Sequence, residues 1–326
     1  MKKFLAILMA ILMVLSMATV AMAEDEFSTP SFKKKLHIVN EGTTAPATTF
    51  SFTASFDHFE DGSGNTVSGV TGPSLTLGDA VFSATSTDAE ANVAISNDTA
   101  FPRVGVYFYK IAETATSVAG INNHSKNMLL KITVTNAANG GFAETYAFYA
   151  DSTEGKTKDE VVTNTYSAGK LEIKKTVSGR LGDLNQYFEF KVKLEGEEGK
   201  DYAGSFKISG GTYYDNPATI SKDAEISIWL KNGETVTIAN LPYGMSYTVT
   251  EVGTNENNKN GNYTVTKSDD GNGKISKATS TVAFNNDYDG NPDTGVALDT
   301  LPYVLVLALA GAGLVLMIAR KRRVED

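Results

Sequence analysis

The sequence has no cysteine and only three histidines, so several kinds of functional site are excluded at the outset. Disulfide scaffolds and thiolate metal sites require cysteine, and His37, His58 and His124 form no His-Glu-x-x-His pair of the kind found in zinc hydrolases. Basic residues are also few. The 29 Lys and Arg against 38 Asp and Glu give a net charge of -9, which disfavours binding to nucleic-acid phosphates. We therefore expect no metal, no cofactor and no nucleic-acid partner.

The N-terminal segment has the three parts of a secretory signal peptide. Two lysines precede an uncharged, mostly apolar run over residues 4–20, and Ala21-Met22-Ala23 supplies the small-x-small pattern at which signal peptidase cuts. Residues 1–23 are therefore predicted to be a cleaved signal peptide. The mature, exported chain would begin at the next residue.

The C-terminal segment, residues 291–326, has the features of an anchoring signal. Residues 301–319 carry no charge and, at about 1.5 Å per residue, are just long enough to cross a bilayer as a helix, while the basic residues that follow favour the cytoplasmic side. With the Asn-Pro-Asp-Thr-Gly motif at 291–295, this segment resembles the sorting signal of Gram-positive surface proteins. That resemblance implies that a sortase cuts between Thr294 and Gly295, so the membrane is contacted only before cleavage.

Between these two signals, short runs that alternate or are β-branched predict an all-β chain. Residues 49–53 and 188–192 are two such runs, and glycine-containing turn signals such as residues 231–233 separate them. Because no long window here has sustained helical periodicity, β-sandwiches are the best interpretation. We expect two tandem domains, residues 24–167 and 168–290.

Each predicted domain opens with a strand in which a lysine lies on an apolar face. Alternate residues of a strand share a face, which places Lys34 and Lys175 where hydrophobic residues belong. One such lysine would be explained by a sheet edge, where lysine is common, but two at equivalent positions weaken that interpretation. The apolar residues on the same faces are Phe32, Leu36 and Ile38 in one strand, and Leu171, Ile173 and Val177 in the other.

A glutamate and an asparagine follow in the same order in both halves. Glu113 and Glu251 each continue the apolar face of an alternating strand, and so do Asn164 and Asn286 near the ends of the halves. The spacing from Lys to Glu is 79 residues in the first half and 76 in the second. Each half is therefore predicted to direct one Lys, one Glu and one Asn inward.

Two kinds of chemistry fit such a buried triplet. Burial disfavours the charged forms of Lys and Glu, and a neutral amine is a nucleophile. A protonated carboxyl could donate a hydrogen bond to the Asn carboxamide oxygen and relay protons to the departing nitrogen, so that an amide forms and ammonia is lost. A buried Lys–Glu ion pair with Asn as a hydrogen-bond partner would satisfy the same groups without reaction. The physical argument alone leaves both open.

The triplets, with the Leu-Pro-Tyr-Gly motif at 241–244, resemble the isopeptide-linked domains of Gram-positive pilins, which are Cna B-like, inverse-immunoglobulin sandwiches. The resemblance covers nearly the whole mature chain. It implies cross-links from Lys34 to Asn164 and from Lys175 to Asn286, promoted by the acids Glu113 and Glu251. A slip of one residue would substitute Lys35, Lys174 and Asn285, but on the opposite face of each strand.

The same resemblance implies a structural pilin-type subunit at the cell surface or in a pilus, anchored to the cell wall and not an enzyme beyond its own internal closure. Its expected partners are a sortase and either peptidoglycan or other pilin subunits. Lys156 and Lys158 are the candidate inter-subunit acceptors, although exposed loop lysines are common for other reasons. A monomeric wall-anchored adhesin for a host or environmental ligand is the alternative function, with an exported enzyme with an unrecognised site behind it.

Overall fold

The computed structural model describes residues 30–290, except 139, 152–157 and 269–270. All regular secondary structure within these residues is β-strand, in agreement with the predicted all-β fold. No helix in this part of the chain could span a membrane. The predicted signal peptide, the sorting motif and the apolar span 301–319 lie outside the described residues.

The first eleven strands form a β-sandwich, which we call the first sandwich. A five-stranded sheet in the order β4-β6-β1-β11-β8 faces a four-stranded sheet in the order β10-β9-β7-β3, and β2 pairs with β5. The strands are β1 (Ser31–Ile38), β2 (Thr48–Phe50), β3 (Phe52–Glu60), β4 (Leu75–Leu77), β5 (Ala80–Phe82), β6 (Ala89–Asn97), β7 (Gly105–Glu113), β8 (Ile121–Asn122), β9 (Met128–Asn136), β10 (Phe142–Tyr149) and β11 (Val161–Tyr166).

The other eleven strands form the second sandwich. Its sheets have the orders β15-β14-β17-β12-β22-β20-β19 and β16-β13-β18-β21. The strands are β12 (Ala168–Ser178), β13 (Phe188–Glu195), β14 (Phe206–Gly210), β15 (Thr219–Ile220), β16 (Glu225–Leu230), β17 (Thr235–Pro242), β18 (Ser246–Glu251), β19 (Lys259–Asn260), β20 (Tyr263–Lys267), β21 (Asn272–Lys274) and β22 (Thr279–Asp287).

The strands follow the alternation of their side chains. In β13, Phe188, Phe190, Val192 and Leu194 are buried and the residues between them are more exposed. Burying each such side chain contributes roughly 1.5–3 kcal/mol relative to leaving it in water. The two faces of each strand therefore fix which side chains enter the core, and with them the register of the strand.

The first and last strands of each sandwich are neighbours and run parallel. Strand β1 pairs with β11, and strand β12 pairs with β22. The ends of each sandwich in the sequence are therefore side by side in space. Any bond between these two strands would close nearly the whole sandwich into a ring.

Two separate hydrophobic cores lie inside the sandwiches. The first core extends to Ala168, the first residue of β12, and the second begins with Leu171. We propose that the domain boundary lies at this change of core, next to the expected end of the first domain at residue 167.

Polar contacts join the two sandwiches beside this linker. The Asn40 side chain donates to the Ala168 carbonyl oxygen at 2.7 Å and to the Tyr243 hydroxyl at 2.8 Å. The Asn240 side chain accepts from the Thr44 backbone N–H at 2.7 Å and donates to the Thr44 carbonyl at 2.9 Å. The sandwiches are thus held together by hydrogen bonds and not only by the connecting strand.

Candidate functional site

The lysine of the first triplet lies in the core of the first sandwich. Along β1, Phe32, Lys34 and Leu36 are buried, whereas the flanking lysines are at the surface. Lys33 forms an ion pair with Glu90, and Lys35 forms one with Asp88 at 3.1 Å. The alternation of β1 therefore sends one lysine of three into the interior, and Lys35 is not part of the cluster.

The three predicted side chains of the first sandwich meet around one carboxyl group. Lys34 Nζ lies 2.5 Å from Glu113 Oε2, and Asn164 Nδ2 donates to Glu113 Oε1 at 2.5 Å. Lys34 and Asn164 are fully buried, and the Glu113 side chain is 1% exposed. The amine and the carboxamide thus sit on the two oxygens of a single buried carboxyl.

The second sandwich contains an equivalent cluster. Lys175 Nζ lies 2.9 Å from Glu251 Oε2, and Asn286 Nδ2 donates to Glu251 Oε1 at 2.6 Å. All three residues are buried. The register alternatives are elsewhere: Lys174 pairs with Glu172, and Asn285 contacts Thr176 and Ser178.

The strand register explains why the two clusters match. In the parallel pairs, Leu36 lies opposite Asn164 and Val177 lies opposite Asn286. In both cases the lysine is two residues before the partner of the asparagine, and so on the same face. The glutamate is the last residue of β7 or β18, in the facing sheet. Each cluster therefore joins three strands from two layers.

Phenylalanine rings cover both amines. Lys34 Nζ lies 4.6 Å from the Phe50 ring centroid and 5.9 Å from that of Phe52. Lys175 Nζ lies 4.1 Å from the Phe188 centroid and 5.6 Å from the Phe190 centroid. The same Phe-x-Phe pattern thus provides an apolar wall with cation–π character in both sandwiches.

Burial changes the protonation of the two lysines. Removal from water lowers the pKa of Lys34 to about 8, although its hydrogen bond and charge interaction with Glu113 oppose the change. Burial likewise lowers the pKa of Lys175 to about 8 against the effect of Glu251. Both amines are therefore much closer to their neutral, nucleophilic form at neutral pH than an exposed lysine is.

Both sandwiches match known protein families, and most of the chain is similar to a known protein. Residues 30–167 match the family described as "Spy0128-like isopeptide containing domain", and residues 169–288 match a domain of unknown function, DUF7601. The chain is 27% identical over 311 residues to a protein named Pilin from Streptococcus pyogenes serotype M1, covering 88% of this chain and 89% of the relative. The chain is a homologue of a streptococcal pilin.

Of two further similarities, one covers less than half of the chain and the other supports the fold alone. This chain is 33% identical over 141 residues to the pilus tip adhesin Cpa of Streptococcus pyogenes. The match covers 40% of this chain and 18% of the adhesin. The crystal structure of the major pilin from Streptococcus pyogenes aligns with a TM-score of 0.51 at 23% identity, covering 80% of this chain and 98% of that chain. At this identity the structural likeness supports the predicted fold.

The orientation of the carboxamides differs from one of the two hypotheses drawn from the sequence. In that hypothesis a protonated glutamate donates a hydrogen bond to the oxygen of the Asn carboxamide. The structure instead places the carboxamide nitrogen against the carboxyl in both sandwiches. In the first sandwich the oxygen, Asn164 Oδ1, accepts a hydrogen bond from the His124 backbone N–H at 2.8 Å.

The surroundings of the second carboxamide differ. Among the described residues, Asn286 Oδ1 is buried and has no hydrogen-bond partner. Glu251 Oε1 accepts a second hydrogen bond, from Asn260 Nδ2 at 2.8 Å, and Asn260 also donates to the Val252 carbonyl at 3.0 Å. The second site therefore holds its carboxyl with an extra donor, whereas the first site holds its carboxamide oxygen.

Sequence reasoning missed these surroundings for different reasons. The two Phe-x-Phe patterns are visible in the sequence but look like ordinary core positions. The His124 contact is made by backbone in a loop, so no residue type indicates it. Asn260 lies on the two-residue strand β19, which is too short to give a periodic signal.

The remaining predicted site residues fall elsewhere. Lys158 is exposed, away from both buried clusters. Lys156, Thr294 and Gly295 lie outside the described residues. No group of metal-ligating side chains suited to a cation occurs in the described part of the chain.

Proposed function

We propose that this pilin homologue is a structural subunit of a surface pilus, and that each sandwich is closed by a spontaneous amide bond between its first and last strands. The observation that carries the proposal is the presence of two buried Lys–Glu–Asn clusters at the same register in both sandwiches. A simple ion pair would need no carboxamide at the second carboxyl oxygen. The recurrence of all three groups therefore favours reaction over a passive ion pair.

The proposed reaction uses only groups within each cluster. In the first sandwich, a proton passes from Lys34 to Glu113, and the neutral Nζ attacks Cγ of Asn164. The bond from Cγ to Nδ2 then breaks: Glu113 gives its proton to the departing nitrogen, which leaves as ammonia, and takes up the second proton that Nζ loses. The products are a Lys–Asn amide, ammonia and a protonated Glu113, so atoms and charge balance. Lys175, Glu251 and Asn286 would react in the same way.

The proposed bonds lie where tension would act. Because β1 and β11 are parallel neighbours, a pull entering at the start of β1 and leaving at the end of β11 would shear this pair. An amide from Lys34 to Asn164 would carry the load through a covalent bond. In a chain without cysteine, such a bond gives reinforcement that reducing agents cannot remove.

Assembly would use the sorting signal. We propose that a sortase cleaves between Thr294 and Gly295 and joins Thr294 to a lysine of the next subunit, or to the cell wall. Lys156 and Lys158 are the proposed acceptors because both precede β11 in the sequence, and Lys158 is exposed. The resulting subunit would be extracellular and anchored to the cell wall, with sortase and other pilus subunits as partners.

Electrophoresis of cell-wall extracts in sodium dodecyl sulfate tests the assembly. A pilus subunit should give a ladder that survives boiling, and Thr294→Ala should abolish it. Lys156→Arg combined with Lys158→Arg should also abolish the ladder, whereas the matched control Lys277→Arg, another exposed lysine, should retain it. A single band from the unaltered chain would instead support the wall-anchored adhesin, the alternative to which the partial similarity to a pilus tip adhesin gives some support.

Peptide mapping tests the internal bonds. Digestion of the purified chain should yield two branched peptides, one containing Lys34 and Asn164 and the other containing Lys175 and Asn286. Glu113→Ala should remove only the first branched peptide, and Glu251→Ala only the second. Recovery of all four residues in linear peptides from the unaltered chain would leave the ion-pair interpretation.

A further inference from the structure

The carboxamide of Asn164 is held from both ends by groups of opposite polarity. Its Nδ2 donates to Glu113 Oε1, and its Oδ1 accepts from the His124 backbone N–H at 2.8 Å. A backbone N–H can only donate, so this contact fixes which end of the carboxamide is oxygen. Glu113 therefore faces the leaving nitrogen and does not touch the oxygen.

Because Glu113 does not contact Oδ1, another group must stabilise the negative charge that develops on this oxygen. When Lys34 Nζ attacks Cγ, the electrons of the C=O bond move onto Oδ1, which becomes negatively charged until the C–N bond breaks. A donor about 2.7–3.1 Å from such an oxygen stabilises the transition state, especially in a site shielded from water. The His124 N–H is at this distance before the reaction begins.

We propose that the His124 backbone N–H is a catalytic group, the oxyanion donor for amide formation in the first sandwich. The inference rests on the proposed closure of that sandwich and assigns a division of labour within it. Glu113 moves protons between the two nitrogens, and His124 N–H stabilises the negative charge on the oxygen. When ammonia has left, the same N–H would bind the carbonyl oxygen of the new amide.

The loop that carries this N–H is fastened on both sides. The His124 ring nitrogen Nε2 lies 2.8 Å from the Ala150 carbonyl oxygen. The Asn123 side chain accepts from the Thr116 N–H at 3.1 Å and donates to the Thr116 carbonyl at 3.2 Å. The donor is therefore already oriented toward Oδ1, as effective oxyanion stabilisation requires.

The test compares two substitutions at one position. His124→Pro removes the backbone N–H, because proline has none, whereas His124→Ala removes only the ring. Both are made in chains of residues 24–294 carrying Asn286→Ala, so that any loss of mass reports the first sandwich alone. The chains are produced by cell-free synthesis, and intact mass is measured at timed intervals for the loss of about 17 Da that accompanies release of ammonia.

We expect the alanine variant to lose ammonia at least about 100-fold faster than the proline variant, the usual effect of one oxyanion donor. Equal rates would overturn the assignment of His124 N–H. If the chain with native His124 shows no loss of mass, the closure itself is absent and the proposed function fails instead. The two failures are therefore distinguishable.

A second variant covers the case in which proline prevents folding, judged by the absence of a cooperative thermal transition. Incorporating the α-hydroxy analogue of alanine at position 124 replaces the backbone N–H by an ester oxygen without adding a ring. It should also close at least about 100-fold more slowly than His124→Ala. Closure of a folded ester chain at the rate of the alanine variant would equally overturn the proposal.

Discussion

The two buried clusters of this pilin homologue share their reacting groups but not their surroundings. Both have a lysine and an asparagine on parallel neighbouring strands, a glutamate from the facing sheet and a Phe-x-Phe wall. In the first cluster a backbone N–H binds the carboxamide oxygen, and in the second an added asparagine binds the carboxyl. The comparison separates what a closing site requires in both sandwiches from what each adds locally.

The largest effect should come from removing the proposed bonds. Asn164→Ala and Asn286→Ala each eliminate one electrophile while keeping the Lys–Glu pair. The lost rings enclose 131 residues from Lys34 to Asn164 and 112 residues from Lys175 to Asn286. By the chain-entropy estimate used for disulfides, each loss should lower the free energy of unfolding by about 5 kcal/mol. Thermal and denaturant unfolding measure this.

The same pair of variants sharpens the comparison. Asn164→Ala also leaves the His124 N–H without its acceptor, at a cost of about 1–3 kcal/mol if the group is shielded from water. Asn286 Oδ1 has no such partner among the described residues. The first variant should therefore be the more destabilised of the two, and the opposite order would contradict the proposed difference.

The next largest difference should be in the rates at which the two sandwiches close. If the His124 N–H acts as an oxyanion donor, the first sandwich should close about 100-fold faster than the second in the unaltered chain. Digestion of cell-free product at timed intervals should yield the branched peptide with Lys34 before the one with Lys175. Simultaneous appearance of the two peptides would show that the donor gives the first site no advantage.

Both rates should depend on pH in the same way. The proposed step passes the lysine proton to the glutamate, so the reacting pair contains as many protons as the resting pair. Burial lowers the pKa of Lys34 and Lys175 to about 8. Closure should therefore not depend on pH below about 8 and should slow by about tenfold per unit well above it, because the pair then lacks the proton that the departing nitrogen needs. Timed mass measurements between about pH 6 and 10 test this, and a rate that keeps rising with pH would contradict it.

The lowered pKa values of the two lysines should also make the stability of the unclosed chain depend on pH. The folded pKa of each lysine is below the ordinary value of 10.5, so the unfolded chain binds more protons between about pH 8 and 10.5. The free energy of unfolding of a chain carrying Asn164→Ala and Asn286→Ala should consequently rise with pH across that window. A decrease attributable to these lysines would be inconsistent with their burial.

The smallest effect should come from the donor specific to the second site. Asn260→Ala removes the hydrogen bond to Glu251 Oε1, worth about 1 kcal/mol, and should slow closure of the second sandwich by roughly fivefold. Closure of the first sandwich should not change. Asn257→Ala, an exposed position in the same segment, is the matched control. Equal rates of closure of the second sandwich in the two variants would show that Asn260 does not contribute to the reaction.

Much of this arrangement could be predicted from alternation along strands. An apolar face that includes Lys34 or Lys175 identifies a buried amine, because neighbouring residues such as Lys35 are forced to the other face. The glutamates and asparagines follow by the same rule. Strand periodicity thus predicts the all-β fold and identifies the three side chains of each cluster.

The local surroundings could not be predicted in that way. The orientation of the Asn164 carboxamide depends on a backbone N–H in the loop after β8, and any residue except proline would supply it. Asn260 reaches Glu251 from a strand of two residues. Both contacts arise from the path of the chain in three dimensions, and the sequence pattern gives no sign of either.

The intact mass of the purified chain, residues 24–294, tests the central claim most directly. Closure of both sandwiches with release of two ammonia molecules predicts a mass about 34 Da below that calculated from the sequence. A measured mass equal to the calculated one would mean that the amines and carboxamides remain side by side unreacted, and would contradict the account.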